Sequence, residues 1–327
     1  MQRRQAAGRA ARQAGAVPRR RLLVAAVLAA PAVGAAEALA PPITLGIGTY
    51  GMQSLAPAAA VDLVADTGFD SIEVAALADG PMAPERLTAV DRHDLRARLA
   101  GRGLVLSALM ENLPPAADET VHRGQLERLA RAAALSRDLA PDRVPLVQTV
   151  LGGGRWEEVR GMVVDRVGDW RDLAGREGFR IAVKPHRFGA LSTPADGLWL
   201  LAQLGDHASL GLVFDASHLV FRGIDPAATL VTAAPRVFHV AVKDAVERGG
   251  TVGFELPGAT GTPDHAAILR GLVAAGYRGD VCCEVSGQVS KRPGYDPAAA
   301  ARDCHRAMRG AFAAAGVSAA AGIAPGD

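Results

Sequence analysis

Residues 180–186 read Arg180-Ile181-Ala182-Val183-Lys184-Pro185-His186, an apolar run of strand length ending in a cation, a proline and an imidazole. Side chains alternate along a strand, so Ala182, Lys184 and His186 share one face, and Ile181 and Val183 take the other. Similar runs follow at residues 210–215, 237–243 and 280–284, each short, β-branched and closed by a charged residue. Upstream runs at residues 43–50, 71–76, 104–111 and 145–151 are likewise short and apolar. Between them lie stretches with apolar residues at three-to-four spacing, among them 57–67, 125–139, 156–176 and 297–315, which predict amphipathic helices. Eight strands alternating with helices predict a parallel sheet, and eight units in this length favour a closed (β/α)8 barrel over a doubly wound sheet. Gly46-Ile47-Gly48 lacks the third glycine of a dinucleotide fingerprint, and Gly152-Gly153-Gly154 is the length of a tight loop, so no nucleotide cofactor is expected.

The 327 residues are 49% hydrophobic, 21% charged and only 4% aromatic, the composition of a globular chain whose core is built from Ala, Val and Leu. Residues 1–40 hold seven of the 36 bases and one of the 34 acids, so the remainder carries 29 bases and 33 acids, a net charge of −4. An acidic body has no general attraction for phosphate backbones, which argues against nucleic acid as a partner. The leader runs through Arg19-Arg20-Arg21-Leu22-Leu23 into an apolar run at residues 22–36, with small residues offering cleavage after Ala36, Ala38 or Ala40. That pattern predicts an export signal resembling the twin-arginine type over residues 1–40, a single barrel domain over 41–327, and a location outside the cytoplasm. The run is too short for a stable membrane span. Three cysteines, Cys282, Cys283 and Cys304, two of them adjacent, do not make a disulfide framework.

A barrel of this class places its site at the C-terminal ends of its strands. On the face assignment above, Lys184 and His186 on the fifth strand, Asp215 on the sixth, Lys243 with His239 and Ala241 on the seventh, and Glu284 with Cys282 and Ser286 on the eighth converge on one mouth. A solvated strand end or an internal ion pair accounts for any one of these; charges inside a barrel wall are costly unless paired or used. Glu73 and Glu111, at the ends of the second and third strands, are further candidates for the same mouth. Arg187, Lys243 and Arg222 are cations near it that would suit anionic groups, and Arg222 has the character of a solvated surface residue.

The segments Val183-Lys184-Pro185-His186-Arg187, Phe214-Asp215-Ala216-Ser217-His218-Leu219, Val242-Lys243-Asp244 and Cys283-Glu284-Val285-Ser286 resemble the successive strand-end motifs of the xylose isomerase-like sugar isomerases and epimerases. The resemblance covers roughly residues 43–316 and is specific from Lys184 onward. It implies a sugar or polyol substrate and proton transfer next to a carbonyl through an enediolate. It also implies a divalent Mn or Mg ion held by Glu, Asp, His and Glu from strands five to eight. By position Asp215 and Glu284 match two of those metal ligands, and His218 matches a histidine that contacts a substrate hydroxyl. Lys184 stands where the first Glu is expected, and Ala241 where the His is expected. His239 lies two residues earlier, roughly 6.5 Å deeper. An ion held by Asp215 and Glu284 would therefore need His186, His218 or water to complete its shell.

The expectation is an enzyme in which Lys184 takes the place of the cation beside Asp215 and Glu284, with His186, His218, Arg187 and Lys243 binding substrate. Two alternatives are a catalytically silent carbohydrate-binding barrel that has lost its ion and, less in keeping with only eight histidines, a metal-dependent endonuclease of the same superfamily.

Overall fold

The computed structural model describes residues 43–317, and the leader read at residues 1–40 lies outside them. The unit that contains these residues spans Leu39–Asp327. Eight parallel strands close into a barrel: β1 (Thr44–Gly48), β2 (Ser71–Ala75), β3 (Val105–Met110), β4 (Leu146–Thr149), β5 (Arg180–Val183), β6 (Leu210–Phe214), β7 (Val237–Val242) and β10 (Asp280–Cys283). The ring closes through β1, which pairs with both β2 and β10. Around it lie α1 (Pro57–Thr67), α2 (Ala89–Gly101), α3 (Glu119–Leu139), α4 (Trp156–Glu177), α5 (Pro194–Gln203), α6 (Pro226–Ala233), α7 (His265–Ala274), the short α8 (Gly287–Ser290) and α9 (Pro297–Ala315).

The helices start where the sequence supplies caps. Thr88 and Thr193 form capping boxes with Asp91 and Asp196, while Asp118, Asp225, Asp264 and Asp296 accept from the first turns of α3, α6, α7 and α9. The main core lies between strands and helices, where Leu45, Ile47, Ile72, Leu109, Ile181 and Val240 face outward onto helix residues such as Leu129, Trp170 and Leu200. A smaller apolar layer of Ala108, Leu146, Ala182, Val213 and Ala241 fills the inside. Ala241 thus serves as barrel filling at the height where the resemblance expects a histidine.

Two glycines of β1 make space for acids in that narrow interior. A Cβ on Gly46 would stand 3.0 Å from Asp280 Oδ2, and one on Gly48 would stand 2.9 Å from Glu73 Oε1. The Gly46-Ile47-Gly48 pattern is therefore a packing device.

One element departs from the predicted alternation. Between β7 and α7 the chain forms an antiparallel hairpin, β8 (Asp244–Arg248) and β9 (Thr251–Glu255), turning at Gly249 and Gly250, both with φ in the left-handed region. Asp244 anchors it. Its carboxylate accepts from the backbone N–H groups of Gly258, Thr260 and Gly261 at 3.0, 2.6 and 2.8 Å, and lies 2.7 Å from His265 Nε2.

Candidate active site

The fifth, sixth, seventh and last barrel strands end in Val183, Phe214, Val242 and Cys283, and the next residue of each is Lys184, Asp215, Lys243 and Glu284. Closure of the barrel brings these four charges into one network. The Lys184 ammonium bonds Glu284 and lies 3.3 Å from Asp215; the Lys243 ammonium bonds Asp215 and lies 2.9 Å from Glu284 Oε1. All four side chains are buried. Two cations and two anions sum to zero, which is how so many charges tolerate the interior. Burial works against the ionised form of each carboxyl, yet the two ammoniums outweigh it and hold Asp215 and Glu284 well below the usual carboxylate range. Burial likewise works against a charged Lys184, and Glu284 and Asp215 outweigh it, so its pKa is raised.

A cavity of about 180 Å³ opens beside this network. Lys184, His186 and Glu284 line it together with Tyr50, Glu111 and Gln148. Of the residues that the sequence nominates, these three and Glu111 therefore reach the cavity. Asp215 and Lys243 stand behind, holding Lys184 and Glu284 in place. His218 is fully buried: its ring packs 4.1 Å from that of His186 and 4.9 Å from Phe254, and its Nε2 lies 3.2 Å from Lys243 Nζ. Arg187 sends its guanidinium to the carbonyls of Ser217 and Val220, at 3.5 and 3.3 Å. Arg222, half-buried, bonds Ser192 O at 2.8 Å.

The two histidines are neutral near pH 7. Burial, with Lys184 and Lys243 beside it, lowers His186 to about 4, and burial with Lys243 lowers His218 to about 3. Glu111 moves the opposite way. Burial pushes it up to about 7 although Arg128 Nε bonds it at 2.9 Å. It is a carboxyl poised for proton exchange at neutral pH, and the sequence offers only its place at the end of a strand as a signal.

The mouth does not fit the hard divalent ion that the strand-end motifs imply. Two ammonium groups already engage the oxygens of Asp215 and Glu284, and the other two ligand positions carry a cation, Lys184, and a methyl group, Ala241. An added double charge would face two like charges across a few ångströms, where each unit pair costs about 4 kcal/mol at an effective dielectric constant near 20. Glu73 does not join this mouth. It lies lower in the barrel, where its Oε2 accepts from Gln148 Nε2 at 3.0 Å and approaches His239 Nε2 to 3.0 Å.

Above the network the hairpin supplies an aromatic cover. Phe254, buried, sits with its ring centroid 4.9 Å from Lys243 Nζ. Phe188, largely exposed, lies 6.1 Å from Phe254 and 5.7 Å from His186.

A family model described as a xylose isomerase-like TIM barrel matches residues 61–310. The rhizopine catabolism protein MocC of Rhizobium meliloti is 29% identical over 184 residues, 47% of this chain and 55% of that protein, so the chain spans about half the length of this relative. Among solved structures, the 3-keto-D-glucoside 4-epimerase YcjR from E. coli superposes with a TM-score of 0.65 at 17% identity, covering 82% of this chain and 99% of that one. The IolI protein with a bound zinc atom superposes with a TM-score of 0.67 at 20% identity, covering 84% and 98%. At these identities the superpositions establish the fold.

Proposed function

The chain belongs to the xylose isomerase-like TIM barrel family, and from that footing we propose that it isomerises or epimerises a small sugar or sugar derivative by moving a proton on the carbon beside a carbonyl. The observation that carries the reading is the convergence of an ammonium, two carboxyl groups and a neutral imidazole on one 180 Å³ cavity at the carboxyl ends of the strands. That volume lies below the roughly 300–1,000 Å³ of drug-sized pockets and suits a monosaccharide. The epimerase named among the structural neighbours acts on a keto sugar, in agreement with this choice of substrate.

In the proposed chemistry the Lys184 ammonium hydrogen-bonds the substrate carbonyl and stabilises the negative charge that develops as the neighbouring C–H is lost. Lys243 neutralises Asp215 and shares Glu284, so Lys184 keeps a donor free for the cavity. The His186 imidazole, neutral at working pH, bonds a hydroxyl. Glu284 is a fully ionised and weak base; Glu111, matched to neutral pH, takes the proton from one carbon and delivers it to the neighbouring carbon of the enediolate, while the hydroxyl proton passes to the former carbonyl oxygen. The export leader read at residues 1–40 would place this reaction outside the cytoplasm.

A second reading, a barrel that binds a sugar without turning it over, draws on the mutual neutralisation of Asp215 and Glu284 by the chain's own lysines. One experiment separates the two: the protein is incubated with a panel of ketoses and keto sugars in deuterated water, and deuterium uptake next to the carbonyl is followed by NMR. Uptake that collapses in Lys184→Met and needs no added Mn or Mg supports the enzyme. Binding without uptake supports the silent barrel. Uptake that survives Lys184→Met and requires added Mn or Mg overturns the role given to Lys184.

A further inference from the structure

Deeper in the barrel lies a second cluster that the chemistry at the mouth does not use. Glu73 at the second strand, His239 at the seventh and Cys282 at the last bring a carboxylate oxygen, an imidazole nitrogen and a sulfur within 4.8 Å of one another. All three are buried, at 2%, 1% and 1% exposure. The backbone is adjusted around them. Gly48 leaves the space that Glu73 enters, and the sheet register shifts between Ile72 and Glu73 and again between Leu212 and Val213, the residue opposite His239.

The contacts inside the cluster are not those of a simple ion pair. His239 Nε2 lies 3.0 Å from Glu73 Oε2, yet neither ring nitrogen makes a hydrogen bond. Groups gathered around a common centre aim their lone pairs at that centre and only graze one another. A paired imidazole and carboxylate would align the N–H with the oxygen. A buried polar group left without a partner is costly, and a cation between the three would remove that cost. The Cys282 sulfur has one polar contact, the Cys283 carbonyl at 3.7 Å.

We propose that Glu73, His239 and Cys282 form a structural site for one divalent transition ion of borderline softness, zinc before all, inside the barrel. A thiolate, an imidazole and a carboxylate are the ligand types that such an ion takes, and two anionic ligands balance its charge. Gln148 completes the set. Its amide bonds Glu73 Oε2, and the same amide turned over presents Oε1 as a fourth ligand. Binding expels the thiol proton, so the ion is taken up as the barrel closes around it and ties three strands together. This site shares no residue with the four-charge network at the mouth and stands or falls independently of the proposed reaction.

The test uses the full chain without a polyhistidine tag, folded with zinc supplied and freed of loosely held metal by gel filtration, its metal content then read by mass spectrometry. The expected result is one zinc per chain in wild type and in Lys184→Met, with less than a tenth of that in His239→Gln. The cobalt-loaded protein should show the visible bands of a tetrahedral ion and a thiolate-to-cobalt charge-transfer band. That band should vanish in Cys282→Ser and persist in Cys304→Ser, with far-ultraviolet circular dichroism confirming that each variant is folded. Wild-type protein that holds less than a tenth of an equivalent after folding in zinc, or a charge-transfer band that survives Cys282→Ser, overturns the proposal.

Discussion

Replacing Lys184 with methionine tests the four-charge network by removing one of its two cations. Methionine keeps most of the side-chain volume and removes one positive charge from a group that sums to zero. Two buried carboxylates then share the single ammonium of Lys243, and the bond from Lys184 to Glu284 and its 3.3 Å approach to Asp215 are lost. Breaking a buried pair by removing one partner costs about 3–5 kcal/mol, because the remaining charge is left uncompensated. At about 2–4 °C per kcal/mol for a chain of this size, the melting temperature should fall by on the order of 10 °C near neutral pH. The effect has a pH signature. In wild type Glu284 is held below the usual carboxylate range, so its contribution is present above the unfolded pKa and is lost as pH falls through the folded one. In the variant burial dominates, the folded pKa of Glu284 rises above the unfolded value, and stability is lost as pH rises. The deficit between the two proteins should therefore narrow from about pH 8 to about pH 5. Adding Glu284→Gln should recover part of the loss, since it restores neutrality around Asp215 and Lys243, with a coupling of about 0.5–3 kcal/mol. Urea unfolding of the four proteins at both pH values gives the answer. A Lys184→Met protein as stable as wild type at both values, or a double variant whose losses simply add, refutes the network.

The other predictions concern residues around it. Glu111→Gln should abolish deuterium uptake and remove the limb of the wild-type profile that rises through pH about 7, since the base works only when ionised. Asp244→Ala strands the N–H groups of Gly258, Thr260 and Gly261 and the His265 imidazole, and should cost about 3 kcal/mol in denaturant unfolding. Burial opposes the charge on Asp244, but His265 and the backbone donors outweigh it and lower its pKa, so wild type should lose this contribution as pH falls through the carboxylate range, and the Ala variant should not. Gly48→Ala drives a methyl group to 2.9 Å from Glu73 Oε1 and should destabilise by about 1–3 kcal/mol, read as a lowered midpoint in thermal melting.

The alternation of short β-branched runs with three-to-four spaced helices made the barrel legible, and α1 and α9 begin and end where the spacing places them, at residues 57–67 and 297–315. The hairpin was also written in the sequence, as two alternating runs separated by Gly249-Gly250, but its residues sit between a barrel strand and its helix, where the repeating unit leads the eye past them. Its consequence is large for the site. Phe254 has no signal of its own in the sequence, and only the fold brings its ring over Lys243 and against His218.

Strand alternation says which side chains point inward and stops there. It placed Lys184, Lys243 and Glu284 on the inner face, and the structure puts them in contact. It could not rank depth, because height inside a tilted barrel depends on the stagger between strands as well as on position within each. Glu73 and Glu111 look alike as acids of early strands, but Glu73 is the middle residue of β2 whereas Glu111 follows the last residue of β3. Glu73 therefore lies at the level of His239 and Cys282, in the space that Gly48 leaves, while Glu111 reaches the cavity, where burial pushes its pKa up to about 7. Which acid reaches the cavity is thus decided by its position within its strand.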